Sequence, residues 1–356
     1  MPEAAILDDP EARARLDAGG MAKAVRELPE QCRGAWTEAR RLELPPSYRE
    51  IERIVILGMG GSAIAGDVFR LLLARECPVP VLNHRHYDLP YVDARTLLIA
   101  SSFSGNTEET VSAFGQGLAT PTKKLAITTG GRLLTTARAN GIPAFVFRYR
   151  GEPRSAFGYG LMPLLAVAEA LGLMEGVGRD VEEAIAAMEA LRERIGEDVP
   201  LAANPAKQLA SRLAGRLPVI YGAEVLTEVA HRWKTQINES SKTWAFYEEL
   251  PEANHNAIVS YGLPPEAARL AFVVYLQSRK LHPRVTLHGE FSRRTLAEAG
   301  IEHAEVQAEG RSALAQALTA VLMGDYVSYC LALLNGVDPS PTTPIANLRA
   351  WLAQQK

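Results

Sequence analysis

Short aliphatic and β-branched runs, each ending in a turn that leads into a helical stretch, recur along this 356-residue chain. Ile51–Leu57 runs into Gly58, and the spacing predicts a helix over Ala63–Ala74. Val79–Leu82 and Thr96–Ala100 follow as strands, Ser101–Thr107 as a polar turn and Glu108–Gly117 as a helix; Lys124–Thr128 and Ala144–Phe147 are further strands. Strands alternating with helices of this length pair in parallel through right-handed crossovers, giving an α/β fold with helices flanking the sheet. Residues 158–195 read as helical, and a linker with Pro200 and Pro205 follows. Then the pattern resumes: Leu217–Tyr221, Ala271–Leu276 and Arg284–Leu287 as strands, Glu224–Thr235 and Ser312–Leu334 as helices.

A chain of this length exceeds one typical domain. The expected division is a helical extension packed outside the main fold (1–48), a first lobe (49–198), a second lobe of the same architecture (199–337), and a tail (338–356). The tail comprises an extended DPSPTTP linker and a terminal helix over Ile345–Gln355.

Composition removes several function classes. With 38 basic against 41 acidic residues and no basic run, nothing draws the chain to nucleic acid or an anionic membrane. The acidic start is no signal peptide, and no run of about 18 apolar residues predicts a membrane span. Cys32, Cys77 and Cys330 lie far apart without a CxxC pair, which suits reduced thiols in a cytoplasmic protein, Cys330 on a buried helix face.

Two turns carry chemistry. In ILGMGGSAIAGD, the glycines Gly58, Gly60 and Gly61 and then Ser62 join a strand to a helix. Glycine lets the backbone approach a ligand, and a helix start offers free N–H groups to an anion. Gly58, Gly60 and Ala63 also satisfy a dinucleotide fingerprint, but that reading needs an acidic residue about 20 positions on. The next strand offers Asn83 and His84 instead. In the second turn, Ser101, Ser102, Ser104 and Thr107 surround Gly105 where a helix begins. A helix cap needs one such hydroxyl; the surplus fits a phosphomonoester. Neither turn holds a Walker lysine, which argues against nucleotide triphosphate hydrolysis.

GMGGSAIAGD with SFSGNTEET resembles the sugar isomerase (SIS) domain. PRSAFGYG, INESSKTWAFYEELPEANHN and NGVDPSPTTPI are similar to bifunctional phosphoglucose/phosphomannose isomerases, a likeness spanning about Ile51 to Arg349. The resemblance implies two SIS-type lobes and aldose–ketose isomerisation of a hexose 6-phosphate through a cis-enediolate. It assigns Gly60, Gly61, Ser62, Ser102, Ser104 and Thr107 to the phosphate, and Glu239 to proton transfer between C1 and C2. His255 would open the ring from a neighbouring subunit, its ring steadied by the adjacent asparagines, which implies a homodimer with a shared site. Arg154 would polarise the substrate oxygens, and Thr342, in the linker, would lie near C2. The family places a lysine in the C-terminal helix; the matching position here is Arg349, and Lys356 lies too far along. Arginine keeps the charge but hardly ever releases a proton. Neither cofactor nor metal is implied.

Rival readings are a noncatalytic sugar-phosphate sensor, an amidosugar aminotransferase and a dehydrogenase. The first lacks a clear DNA-binding segment in residues 1–48. The second needs a terminal cysteine where Met1-Pro2-Glu3 stands, and the third needs the missing ribose-binding acid. His84 and His86 alternate like ligands without a third partner. His231 is expected at a surface or dimer contact, and Trp36, Trp233, Trp244 and Trp351 as packing anchors.

Overall fold

Nine strands form two wholly parallel sheets among the described residues of the computed structural model, which are 4–74 and 77–355. Met1–Glu3 and Lys356 lie outside the described residues. The first sheet comprises β1 (Arg53–Leu57), β2 (Val81–His84), β3 (Thr96–Ser102), β4 (Lys123–Thr128) and β5 (Ala144–Val146), in the order β2-β1-β3-β4-β5. The second comprises β6 (Leu217–Ala223), β7 (Phe246–Leu250), β8 (Ala271–Gln277) and β9 (Glu302–Gln307), in the order β7-β6-β8-β9. The two-lobe α/β expectation holds.

The central strands β1 and β3 are apolar runs because helices cover both faces of the sheet, so both sets of alternating side chains are buried. Their register aligns Leu57 with Ala100, so the glycine turn and the hydroxyl turn emerge side by side. The chain leaves β1 toward β2 on one side and returns to β3 on the other. This reversal opens a crevice at the carboxyl ends of the strands, where ligands of open α/β sheets bind.

The helix Ala313–Leu334 runs through the middle of the molecule, with every residue from Leu314 to Leu334 buried. By length and composition it could cross a membrane, against the expectation that no such stretch exists. Here protein covers it on all sides: it packs on the helices Val177–Ile195, Pro205–Leu213 and Thr227–Ser240. Its one charge, Asp325, is met by Arg232 Nη2 at 2.8 Å and by Gln236 Nε2 at 2.7 Å. Gly324 admits Trp233, whose Nε1 donates to the Ala320 carbonyl at 2.8 Å. Cys330 is buried on this helix, and Cys32, Cys77 and Cys330 are all free.

Several local expectations are corrected. Arg284–Leu287 is no strand; it lies inside the helix Pro283–Glu298, which Pro283 opens and the His282 ring caps by accepting the Arg284 N–H. β7 and β9 were not foreseen, because both are edge strands rich in glutamate. Pro205 starts a helix capped by Asn204 rather than continuing a linker. The 158–195 stretch is two helices, Phe157–Ala170 and Val177–Ile195.

The N-terminal helices are not an outer layer, since Leu7, Cys32 and Ala35 are fully buried in the main core. The terminal helix starts at Thr343, and Pro339 and Ser340 of the supposed linker are buried. Trp36 and Trp233 anchor packing, whereas Trp244 and Trp351 are exposed.

Candidate active site

The glycine and hydroxyl turns are built by mutual contact. Ser62 Oγ, in the first turn of the helix Gly60–Leu73, accepts the Phe103 N–H at 3.1 Å and so ties the two turns together. Ser102 is only 1% exposed; its Oγ accepts the Gly105 N–H at 3.1 Å and shares a hydrogen bond with Thr107 Oγ1 at 2.9 Å. Ser102 therefore shapes the loop, and when its hydroxyl donates to Thr107, the Thr107 proton is free to point outward. Ser104 is exposed, and its Oγ accepts the Asn106 N–H at 3.2 Å. Thr107 occupies the cap position of the helix Glu108–Gly117, yet its side chain makes no capping bond. The capping account of this turn thus fails, and the helix start carries no side-chain cap.

A third turn went unnoticed in the sequence. Thr129, after β4, donates its N–H (3.0 Å) and its hydroxyl (2.7 Å) to the Phe103 carbonyl. The Arg132 N–H donates to Asn106 Oδ1 at 3.0 Å. Thr128-Thr129-Gly130-Gly131 directly after a buried strand was the available signal.

Arg154 joins this crevice to the second lobe. A Cβ on Gly61 would lie 3.1 Å from the Arg154 Cα, so the glycine turn rests directly on the Arg154 backbone. The arginine is 3% exposed, which rules out a surface salt bridge. Its Nη2 donates to the carbonyls of Pro339 (2.6 Å) and Ser340 (2.8 Å), and Nε to Ser240 Oγ (3.3 Å). Nη1 lies 3.5 Å from Glu152 Oε2 and 3.6 Å from Glu239 Oε2. Burial lowers its pKa below the ordinary arginine value, and the charges of Glu239 and Glu152 oppose that shift.

Glu239 stands in the last turn of the helix Thr227–Ser240, its side chain 27% exposed. The buried Arg232–Asp325 pair locks this helix onto the core, and Arg232 Nη2 also donates to the Arg154 carbonyl at 3.2 Å. Next along the chain, Lys242 has φ +55 and donates from Nζ to the carbonyls of Glu239 (2.5 Å), Pro341 (2.7 Å) and Pro339 (3.3 Å). Sequence reasoning gave Lys242 no role. Thr342 follows Pro341 directly, so these grips fix the backbone just before it.

Two expected residues are not brought into this cluster. His255 is exposed, ending the 3-10 turn Glu252–His255 after β7; its closest ring neighbour is His288 at 6.3 Å. The adjacent asparagines do not orient it: Asn254 Nδ2 donates to the His288 carbonyl, and Asn256 to Glu252. Arg349 lies on the helix Thr343–Leu352, none of whose residues is buried. Among the described residues no hydrogen bond or ion pair links either to Glu239 or Arg154.

His231 is also not a plain surface residue. Its Nδ1 lies 3.1 Å from Glu228 Oε2, and its ring stacks on Tyr247 at 4.5 Å. Asp67, Glu228 and His231 could each offer a ligand atom to one metal, the three atoms lying within 4.8 Å of one another. The carboxylates are already engaged, Asp67 by Asn83 and Arg85, and Glu228 by Arg70 and His231. This is an ion-pair network between the lobes.

A cavity of about 710 Å³ lies away from Glu239, beside Glu224 after β6 and Lys280 after β8. It occupies the second sheet's counterpart of the β1/β3 crevice. Its chemistry differs: Glu224 (φ +47) stands where the first lobe has glycine. The Glu183 carboxylate accepts the N–H groups of Arg311 (2.5 Å) and Ser312 (3.0 Å), filling the start of the long helix with a protein anion.

Residues 202–352 match the bacterial phospho-glucose isomerase C-terminal SIS domain. The chain is 38% identical to the bifunctional phosphoglucose/phosphomannose isomerase of Caldicellulosiruptor bescii, over 94% of its own length and all of the relative's. It belongs to the bifunctional phosphoglucose/phosphomannose isomerase family. The Aquifex aeolicus protein of the same name is 32% identical, with 84% of this chain and 90% of that one covered. A crystal structure of a hypothetical protein from Thermus thermophilus shares the fold, with a TM-score of 0.74 at 19% identity over 97% and 94% of the two chains. In this chain the glycine turn packs on the Arg154 backbone, and the Arg154 side chain faces Glu239.

Proposed function

We propose that this chain interconverts glucose 6-phosphate and mannose 6-phosphate with fructose 6-phosphate through a cis-enediolate. The observation that carries the reading is the continuity from Gly61 through Arg154 to Glu239. An anion-binding turn packs on an arginine backbone, and that arginine's side chain faces a carboxylate at 3.6 Å. A phosphate held by Ser104, Thr107 and the backbone of Gly60 and Gly61 fixes one end of a six-carbon chain, with Ser62 and Ser102 holding the turns in shape. Glu239 then moves the proton between C1 and C2, and Arg154 Nη1 offsets the charge that develops. Thr342 borders C2, where the two aldoses differ.

His255 acts at the ring oxygen of a neighbouring subunit's substrate, so the working unit is a homodimer. Its exposure supports this, as do the exposed Val259 and Leu263 that follow it in the chain. Arg349 contributes charge from the exposed terminal helix and no proton.

The test is a coupled assay on fructose 6-phosphate. Turnover that falls about 10³-fold or more in Glu239→Gln, with sugar-phosphate binding retained, supports the isomerase. Tight binding without wild-type turnover would instead make it a sensor.

A further inference from the structure

We propose that Lys242 is a positioning residue that clamps the Pro339–Thr342 strap over the site and thereby sets how C2 is presented to Glu239. The proposal builds on the isomerase reading above. Three observations carry it. First, Lys242 adopts φ +55 immediately after the helix that bears Glu239. A helix end needing left-handed backbone is normally closed by glycine, because a Cβ there is strained. A lysine in that place brings a side chain that glycine would not.

Second, all three ammonium protons have acceptors, and these lie on two separate segments. One is the Glu239 carbonyl; the other two are the Pro339 and Pro341 carbonyls. An ammonium bound in this way has no proton directed at substrate, so Lys242 acts through the groups it holds. Third, the strap's carbonyls are held from outside it, its own tie being the Ser340 N–H on Asp338 Oδ1 at 2.8 Å. Its prolines donate no hydrogen bonds, and its carbonyls 339, 340 and 341 are all taken by Lys242 and Arg154. Arg154 secures 339 and 340, whereas Lys242 alone reaches 341, the residue before Thr342. Arg154 is thus the inner anchor, and Lys242 the outer one that ties Thr342 to the helix of Glu239.

The experiment compares wild type with Lys242→Gly, Lys242→Met and Lys242→Arg. Glycine suits the left-handed backbone, methionine keeps the stem without the charge, and arginine keeps the charge. Three readouts are taken: hydrogen exchange of the 340–345 amides, kcat/KM for fructose 6-phosphate, and the ratio of glucose 6-phosphate to mannose 6-phosphate formed initially from it. Both uncharged variants should exchange these amides about tenfold faster, lose about 10- to 100-fold in kcat/KM and shift the product ratio, with arginine restoring all three. A general loss of structure would lower both products alike and leave the ratio unchanged. Wild-type exchange in Lys242→Gly and Lys242→Met overturns the proposal, as does an unchanged product ratio. Should wild type fail to turn over fructose 6-phosphate, the isomerase reading falls, and the exchange measurement still decides whether Lys242 holds the strap.

Discussion

Gly105 lies so close to Gly130 that a Cβ added to it would sit 1.8 Å from the Gly130 carbonyl oxygen. Gly105 also has φ +67, so it is fixed both by backbone conformation and by space. This contact sets the hydroxyl turn against the Thr128–Arg132 turn, beneath the proposed phosphate site.

Gly105→Ala should therefore cost about 3 kcal/mol of stability and raise KM for the sugar phosphate. Gly141→Ala is the control: it shares the positive φ (+63) but has nothing within 4 Å of the new Cβ. It should cost about 1 kcal/mol and leave KM alone. Equal effects in the two variants would show that steric contact at Gly105 does not matter.

The network between the lobes predicts a pH dependence. Burial, the largest single influence on Glu228, pushes its pKa up, but the hydrogen bond to His231 and the charges of His231 and Arg70 outweigh it. The carboxyl ends below its ordinary 4.5. A depressed folded-state pKa contributes stability that is complete above the unfolded value and lost as pH falls through the folded one. Wild type should thus be more stable than Glu228→Gln at neutral pH, and the gap should close as pH drops below 4.5. Asp67 works in the opposite sense, since burial and then the Glu228 charge raise its pKa above 3.8. Because the Glu228 charge acts on Asp67, the comparison with Glu228→Gln is made in an Asp67→Asn background, which isolates the first effect. Denaturant unfolding from neutral pH down through the carboxylate range reads it, and a gap that widens on acidification would contradict the assignment.

A shared site predicts complementation. Glu239→Gln and His255→Ala should each be nearly inactive, and mixing them under conditions of subunit exchange should restore turnover. In a mixed dimer one site keeps both an intact carboxylate and an intact histidine. Silence from a mixture that does form mixed dimers would place His255 outside the neighbour's site.

Legibility in the sequence followed apolar composition, since even the edge strands β2 and β5 were read. The inner strands β1, β3, β4, β6 and β8 were readable because both faces are covered and the runs are apolar. The edge strands β7 and β9 were not, since Phe246–Leu250 and Glu302–Gln307 carry charges that face solvent. Arg-Val-Thr-Leu at 284–287 favours a strand locally, yet proline at position 283 and the His282 cap committed it to a helix.

The two turns after β1 and β3 could be placed from their glycines and hydroxyls. The meeting of Arg154 with Glu239 could not, because 85 residues separate them and only the packing of two lobes brings them together. Lys242 was invisible for another reason: its partners are backbone carbonyls, which leave no mark on side-chain composition.

Solvent isotope incorporation tests the central claim most directly. With fructose 6-phosphate in deuterium oxide, proton transfer through Glu239 and an enediolate should place deuterium at C2 of the aldose product, and Glu239→Gln should abolish both label and turnover. Aldose formed at the wild-type rate without deuterium at C2, or labelling that persists in Glu239→Gln, would contradict the account.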